Sequence, residues 1–195
     1  NSSNTKRNTP RNGTMTPFEL RRALSRLTYI IDTREQDTPA FRERIAALGA
    51  PHRRAALSYG DYSAETTDDA GNTISLERRA VVERKMSADE LCQCFASGRD
   101  RFKREFERAQ ADGARVWLLC EDTNWEQLYN GKYRSKLSAK ALVASILSWS
   151  AKHNLHIVFC RKETSAWLIR DILHYEMRTH LEGMGNDRTN QADLP

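Results

Sequence analysis

The sequence predicts an α/β domain: a mixed central sheet flanked by helices. Two observations carry this. Short apolar runs at residues 29–32, 115–120 and 155–160 alternate with longer segments whose apolar residues recur at helical spacing. Between the first two runs lie alternating segments at 56–66 and 73–85, separated by the turn signal Asp68-Asp69-Ala70-Gly71-Asn72. Strands joined by a tight turn pair antiparallel, and a hairpin feeding alternating strands and helices gives a sheet of mixed direction.

The elements follow in order. Residues 1–15 are rich in Asn, Thr, Ser and Arg and read as disordered; residues 1–27 form a basic flexible arm. Within it, Thr16-Pro17 pairs an N-cap with a first-turn proline and starts a short helix through Arg26. A domain spans 28–182, and 183–195 form a flexible tail. Thr38-Pro39 opens the next helix, Phe41, Ile45 and Leu48 share its apolar face, and Gly49 closes it. After the hairpin, Ser87 and Glu90 make a capping box, so a helix begins directly behind the second strand. Leu91, Phe95, Phe102 and Phe106 continue one apolar stripe past Gly98. A loop at 124–136 precedes a helix at 137–153, rich in Ala and Ser, that is a core helix or a dimer face. The last helix spans 164–181 around Leu168, Ile172 and Tyr175.

A chain of 195 residues accommodates one domain with a real hydrophobic core. No apolar run reaches the length of a membrane span, and the first residues do not resemble a signal peptide. Cys92, Cys94, Cys120 and Cys160 show no metal spacing and read as free thiols of a reducing cytosol. The net charge is +5, and Lys6, Arg7, Arg11, Arg21, Arg22 and Arg26 against Glu19 account for all of it. The remaining chain is neutral, so charge points to the arm as a nucleic-acid contact or a solubilising tail, not to the domain.

The candidate chemistry sits at Val81-Val82-Glu83-Arg84-Lys85. Alternate strand residues share a face, so Val81, Glu83 and Lys85 point one way and Val82 and Arg84 the other. Asp61 and Glu83 are symmetric about position 72, beside the turn. Folding there brings them opposite each other, about 5 Å apart if directly paired. Two facing carboxylates repel unless a cation sits between them. A register shifted by one or two residues would instead leave both acids solvated. Asp89, in the first turn of the following helix, serves as a helix-terminus acid or as active-site support.

Gly60-Asp61, Glu83-Arg84-Lys85 and Asp89 resemble the signature of the XPF-type nuclease domain. Ile30-Ile31-Asp32-Thr33-Arg34-Glu35 resembles that family's first strand, and Ser97-Gly98-Arg99 its Ser-Gly-Arg. The likeness runs over residues 29–182. It implies a restriction-endonuclease-like fold and divalent-metal-dependent cleavage of DNA, at branched, flap or fork structures. Carried over, Asp61 and Glu83 bind the metal, joined by the carbonyl oxygen of Arg84. Lys85 orients the attacking water, while Asp32 and Glu35 edge the site with Arg34, Arg84 and Asp89 in support. Hard oxygen ligands suit Mg²⁺, with Mn²⁺ as a substitute. Arg34 and Arg99 are expected to contact DNA. Lys132, Tyr133, Arg134 and Lys136 either contact DNA too or pack their loop onto the domain.

The family implies a homo- or heterodimer through the nuclease domain. It also implies a cytoplasmic, nucleoid-associated or, in a eukaryote, nuclear location, with no membrane. Larger members carry a tandem helix-hairpin-helix module, and here a short tail follows Glu182. That departure keeps a second expectation open: a nuclease acting on unbranched DNA in phage or defence processing. A third is a non-catalytic DNA-binding subunit, although such subunits typically lose the Glu-Arg-Lys set that is intact here.

Overall fold

The computed structural model describes residues 15–190, with side chains through 184. Lys6, Arg7 and Arg11 of the arm, and residues 191–195 of the tail, lie outside the described residues. The sheet runs β2(His52–Ala55), β1(Thr28–Asp32), β3(Tyr62–Thr67), β5(Ala80–Lys85), β6(Arg115–Glu121), β7(Leu155–Cys160), with β4(Thr73–Ser75) on β3. β1 pairs parallel with β2 and antiparallel with β3; β3 and β5 are antiparallel; β5, β6 and β7 are parallel. The predicted mixed sheet flanked by helices is the one observed.

Two cores cover the sheet. On one face, α3(Ala88–Phe95), α4(Arg99–Ala111) and α6(Ala139–Lys152) bury Val81, Leu118 and Cys120. Phe95, Phe102 and Phe106 close around Trp149 at centroid distances of 5.0, 5.7 and 5.6 Å. The expected apolar stripe is therefore real, but two helices carry it, broken before Gly98. The buried face of α6 belongs to this core, through Leu142, Val143, Ile146 and Trp149. On the opposite face, α1(Pro17–Ser25), α2(Pro39–Leu48) and α7(Lys162–Asn190) cover Tyr62, Val82 and Leu119. The short α5(Trp125–Tyr129) interrupts the expected loop, capped by Asn124.

Four features differ from expectation. First, β2 is a strand whose residues His52, Arg53 and Arg54 are all exposed. An edge strand with no apolar alternation gives no period-two signal. Second, residues 73–85 are not one strand. Residues 76–79 turn out of the sheet, with Arg79 and Ala80 N–H both donating to the Leu76 carbonyl at 2.7 and 2.9 Å. Glu65 pairs with Ser75 across β3–β4, which would continue to Tyr62 against Arg78. Instead Tyr62 faces Val82, and Asp61 beside it donates its N–H to the Val82 carbonyl, within the field of Glu83. The expected juxtaposition thus arises through a four-residue excursion and not through one simple hairpin.

Third, the arm does not remain loose up to residue 27. Ala23 and Leu27 are buried, and α1 packs on α7. Arg26 donates to the carbonyls of Thr67 and Asp68, and both Arg22 and Arg26 pair with Asp69. Part of the arm's charge is thereby spent on the hairpin tip. Fourth, α7 continues through Asn190, into the stretch expected to be tail. Among the described residues no helix is long and apolar enough to cross a membrane.

The turn into β3 depends on Gly60, whose φ is +73°. A Cβ there would stand 2.7 Å from the Val81 Cβ, inside the strand that carries Glu83. We expect Gly60→Ala to lower the unfolding free energy by more than ~1 kcal/mol, read as a lower urea midpoint with an unchanged slope.

Candidate active site

The end of β5 holds two charged side chains on the face it shares with Val81. Glu83 and Lys85 are each 7 % exposed, and Lys85 Nζ meets Glu83 Oε1 at 2.5 Å. The ammonium also lies 5.5 Å from the centre of the Phe102 ring. Burial is the largest influence and works against the charged lysine, but the Glu83 carboxylate, joined by Cys94 and Asp61, raises its pKa well above the ordinary value.

Asp61 completes the group from the loop before β3. Its N–H donates to the Val82 carbonyl at 2.9 Å, and its own carbonyl accepts the Asp32 N–H at 2.8 Å. The carboxylate accepts the Arg84 N–H at 2.8 Å. Burial, then the like charge of Glu83, raises the Asp61 pKa well above the ordinary value, with Lys85 opposing. One ammonium therefore serves two carboxylates. A strand residue directs its N–H and C=O toward the same neighbour. The Arg84 carbonyl consequently faces the β3 side, past the Tyr62–Val82 pair where the β3–β5 pairing ends.

These donors fit a divalent ion. Two carboxylates short of one positive charge, with a main-chain carbonyl beside them, are a hard-oxygen set suited to Mg²⁺ or Mn²⁺. Among the described residues no three Asp, Glu, His or Cys side chains converge as a metal-holding group. Such a set would supply only part of a coordination shell, as is usual for Mg²⁺, which keeps several waters.

Two expected site residues do other work. Asp32 is 1 % exposed and its oxygens are occupied. Oδ1 accepts the Arg34 N–H at 2.7 Å and Arg34 Nε at 2.6 Å; Oδ2 accepts the Leu57 N–H at 2.7 Å and Arg34 Nη2 at 3.2 Å. Burial would raise its pKa, yet the Arg34 guanidinium and these N–H donors hold it below the ordinary value. Asp32 therefore anchors Arg34, whose half-exposed guanidinium lies in the field of Asp61. Asp89 accepts the Arg134 N–H at 2.6 Å and Arg134 Nε at 2.9 Å. It fastens the basic loop to the start of α3. Glu90 Oε2 meanwhile accepts the Met86 N–H at 2.7 Å, so the capping box closes one residue early.

Glu35 and the Arg84 side chain sit on the other face of the sheet. Glu35 Oε2 accepts Tyr62 Oη–H at 2.9 Å and Arg44 Nη2 at 3.0 Å, with Arg84 Nη2 at 3.9 Å. Arg84 Nη1 reaches the buried Glu121 at 3.1 Å. Glu35 adds to the negative field on Asp61 across the sheet.

Of the expected DNA contacts, Arg99 is committed to α6, donating to Ser145 Oγ at 3.3 Å and lying 5.4 Å from the Trp149 ring centre. Tyr133 is half-buried, and its hydroxyl donates to the Leu137 carbonyl. Trp125 packs edge-on against Phe159. The aromatics thus fix the loop, while Lys132, Arg134 and Lys136 remain exposed.

One residue was missed. Glu105 lines a small cavity with Tyr59, Gly60, Glu83, Phe106 and Val116. Burial and the Glu83 charge raise its pKa, against Lys85, Arg34 and Arg101. Its signal was the phase of α4: Phe102, Glu105, Phe106 and Ala109 form an i, i+3, i+4, i+7 stripe, and an acid in such a stripe is out of place.

The ERCC4 domain family matches residues 31–170, and the chain belongs to that family, one of DNA nucleases that generally depend on a divalent metal. Among solved structures, XPF from Aeropyrum pernix is similar with a TM-score of 0.55 and 18 % identity, covering 77 % of this chain. The same organism's XPF in complex with DNA gives 0.56 and 17 %, covering 79 %. The chain spans 65 and 66 % of those two chains. Among curated proteins none matches.

Removing the Asp32 charge has a signed consequence. Because its folded pKa is depressed, its contribution to stability is fully present above the ordinary carboxylate range and is lost as pH falls through the folded value. Asp32→Asn is expected to cost ~2 kcal/mol at pH 7, the gap from the parent protein closing below about pH 4 in urea unfolding.

Proposed function

We propose that this protein is a divalent-metal-dependent endonuclease hydrolysing DNA phosphodiester bonds at branched, flap or fork structures. The observation that carries the proposal is the buried grouping of Asp61 and Glu83 about the Lys85 ammonium. Asp61, Glu83 and the Arg84 carbonyl would hold a Mg²⁺ or Mn²⁺ ion. When bound, such an ion polarises the phosphate and lowers the pKa of a water. Lys85, kept protonated by Glu83, orients that water or stabilises charge developing on the phosphate. Arg34, held rigid by Asp32, offers an exposed guanidinium to a phosphate at the edge of the site. The basic loop fastened by Asp89 offers Lys132, Arg134 and Lys136 to the duplex backbone. Family membership supports the nuclease chemistry, and the relative described in complex with DNA supports the substrate class.

Labelled flap, fork and linear duplex of matched sequence, incubated with Mg²⁺ or Mn²⁺, test this reading. Asp61→Asn and Glu83→Gln are each expected to slow cleavage by on the order of 100-fold or more, about 2.7 kcal/mol of barrier. Unchanged rates would defeat the assignment, and equal cleavage of linear duplex would move the substrate to unbranched DNA. Because Asp61 carries a raised pKa, its ionised form burdens the fold. Asp61→Asn is therefore expected to gain ~1 kcal/mol of stability at pH 8 in EDTA. A variant that is inactive yet more stable separates loss of chemistry from loss of structure.

Lys132→Ala and Lys136→Ala are each expected to weaken DNA binding in Ca²⁺ and to reduce the slope of log affinity against log salt by about 1. Fluorescence anisotropy at several salt concentrations gives that slope.

A further inference from the structure

We infer that Glu105 is a positioning residue of the cleavage centre, holding a water between its carboxylate and Glu83 so that it orders the outer shell of a cation on Asp61 and Glu83. The inference rests on the metal-dependent reading proposed above. The cavity lined by both glutamates measures about 10 Å³, room for about one water, and two carboxylates give that water two acceptors.

Glu105 is free for this task. It is half-buried, and among the described residues it makes no hydrogen bond and no ion pair; Glu83, Lys85, Arg34 and Arg101 act on it only through their fields. It is also rigidly placed. Phe102 and Phe106 on either side of it are buried, in edge-on contact at 4.7 Å, and both pack on Trp149. No three acidic side chains converge on one point among the described residues, which assigns Glu105 an outer and not a direct ligand role. Groups that orient a metal's ligands from outside typically govern affinity by 10–100-fold.

Mn²⁺ binding to the full chain, without DNA and followed by electron paramagnetic resonance, tests this. E105Q keeps the shape and removes the charge. It is expected to bind Mn²⁺ at least ~10-fold more weakly, with no loss of thermal stability in EDTA. E105D restores a carboxylate and is expected to recover part of the loss. In cleavage assays E105Q is expected to need more Mn²⁺ for half-maximal rate while DNA binding in Ca²⁺ stays as in the parent. A parent protein that binds Mn²⁺, beside an E105Q that binds it equally well, overturns the role of Glu105 alone. A parent protein that binds no Mn²⁺ overturns the metal-dependent reading together with it.

Discussion

Glu83 and Lys85 meet at 2.5 Å where water is nearly excluded, and the surrounding structure answers to that contact. Taking two opposite charges out of solvent is costly, and their attraction offsets the cost only in good geometry. β5 supplies the geometry by fixing both side chains on one face of a strand hydrogen-bonded between β3 and β6. The pair is neutral by itself. Asp61 then adds a charge that nothing within the pair balances, and the metal-dependent reading rests on this imbalance.

The two faces of β5 divide the labour. Glu83 and Lys85 look toward α3 and α4, with Lys85 beside the Phe102 ring and Glu83 beside Glu105. Arg84 looks the other way, into a network with Glu35, Arg44, Tyr62 and Glu121. Its main chain nevertheless serves the first face, since its N–H fixes the Asp61 carboxylate. One arginine thus contributes to both sides of the sheet through different atoms. Asp32 plays a comparable part: fully buried and fully bonded, it fixes the posture of a guanidinium that reaches solvent.

Much of this was legible in the residues. Period-two alternation located β5 and the faces of Glu83 and Lys85, and capping signals at Thr16, Thr38 and Ser87 mark observed helix starts. What was not legible depended on partners distant in the chain. β2 is polar and exists because β1 templates it. Asp89 is a helix-start acid by position, and only the folded loop shows that Arg134 claims it. Asp32 reads as a site-edge acid in a linear motif, yet the main chain at Leu57 and Arg34 and the Arg34 guanidinium occupy its oxygens. Glu105 lies outside the motif, and its place opposite Glu83 follows from how α4 settles on the sheet.

The turn at residues 76–79 gives the hairpin slack. Its tip obeys one register and its base another, and the bend between them absorbs the difference. Lengthening or trimming the 68–72 tip would be taken up there, leaving Tyr62 against Val82. The distal end of this ribbon is therefore decoupled from its reactive end, and evolution is free to vary one without disturbing the other.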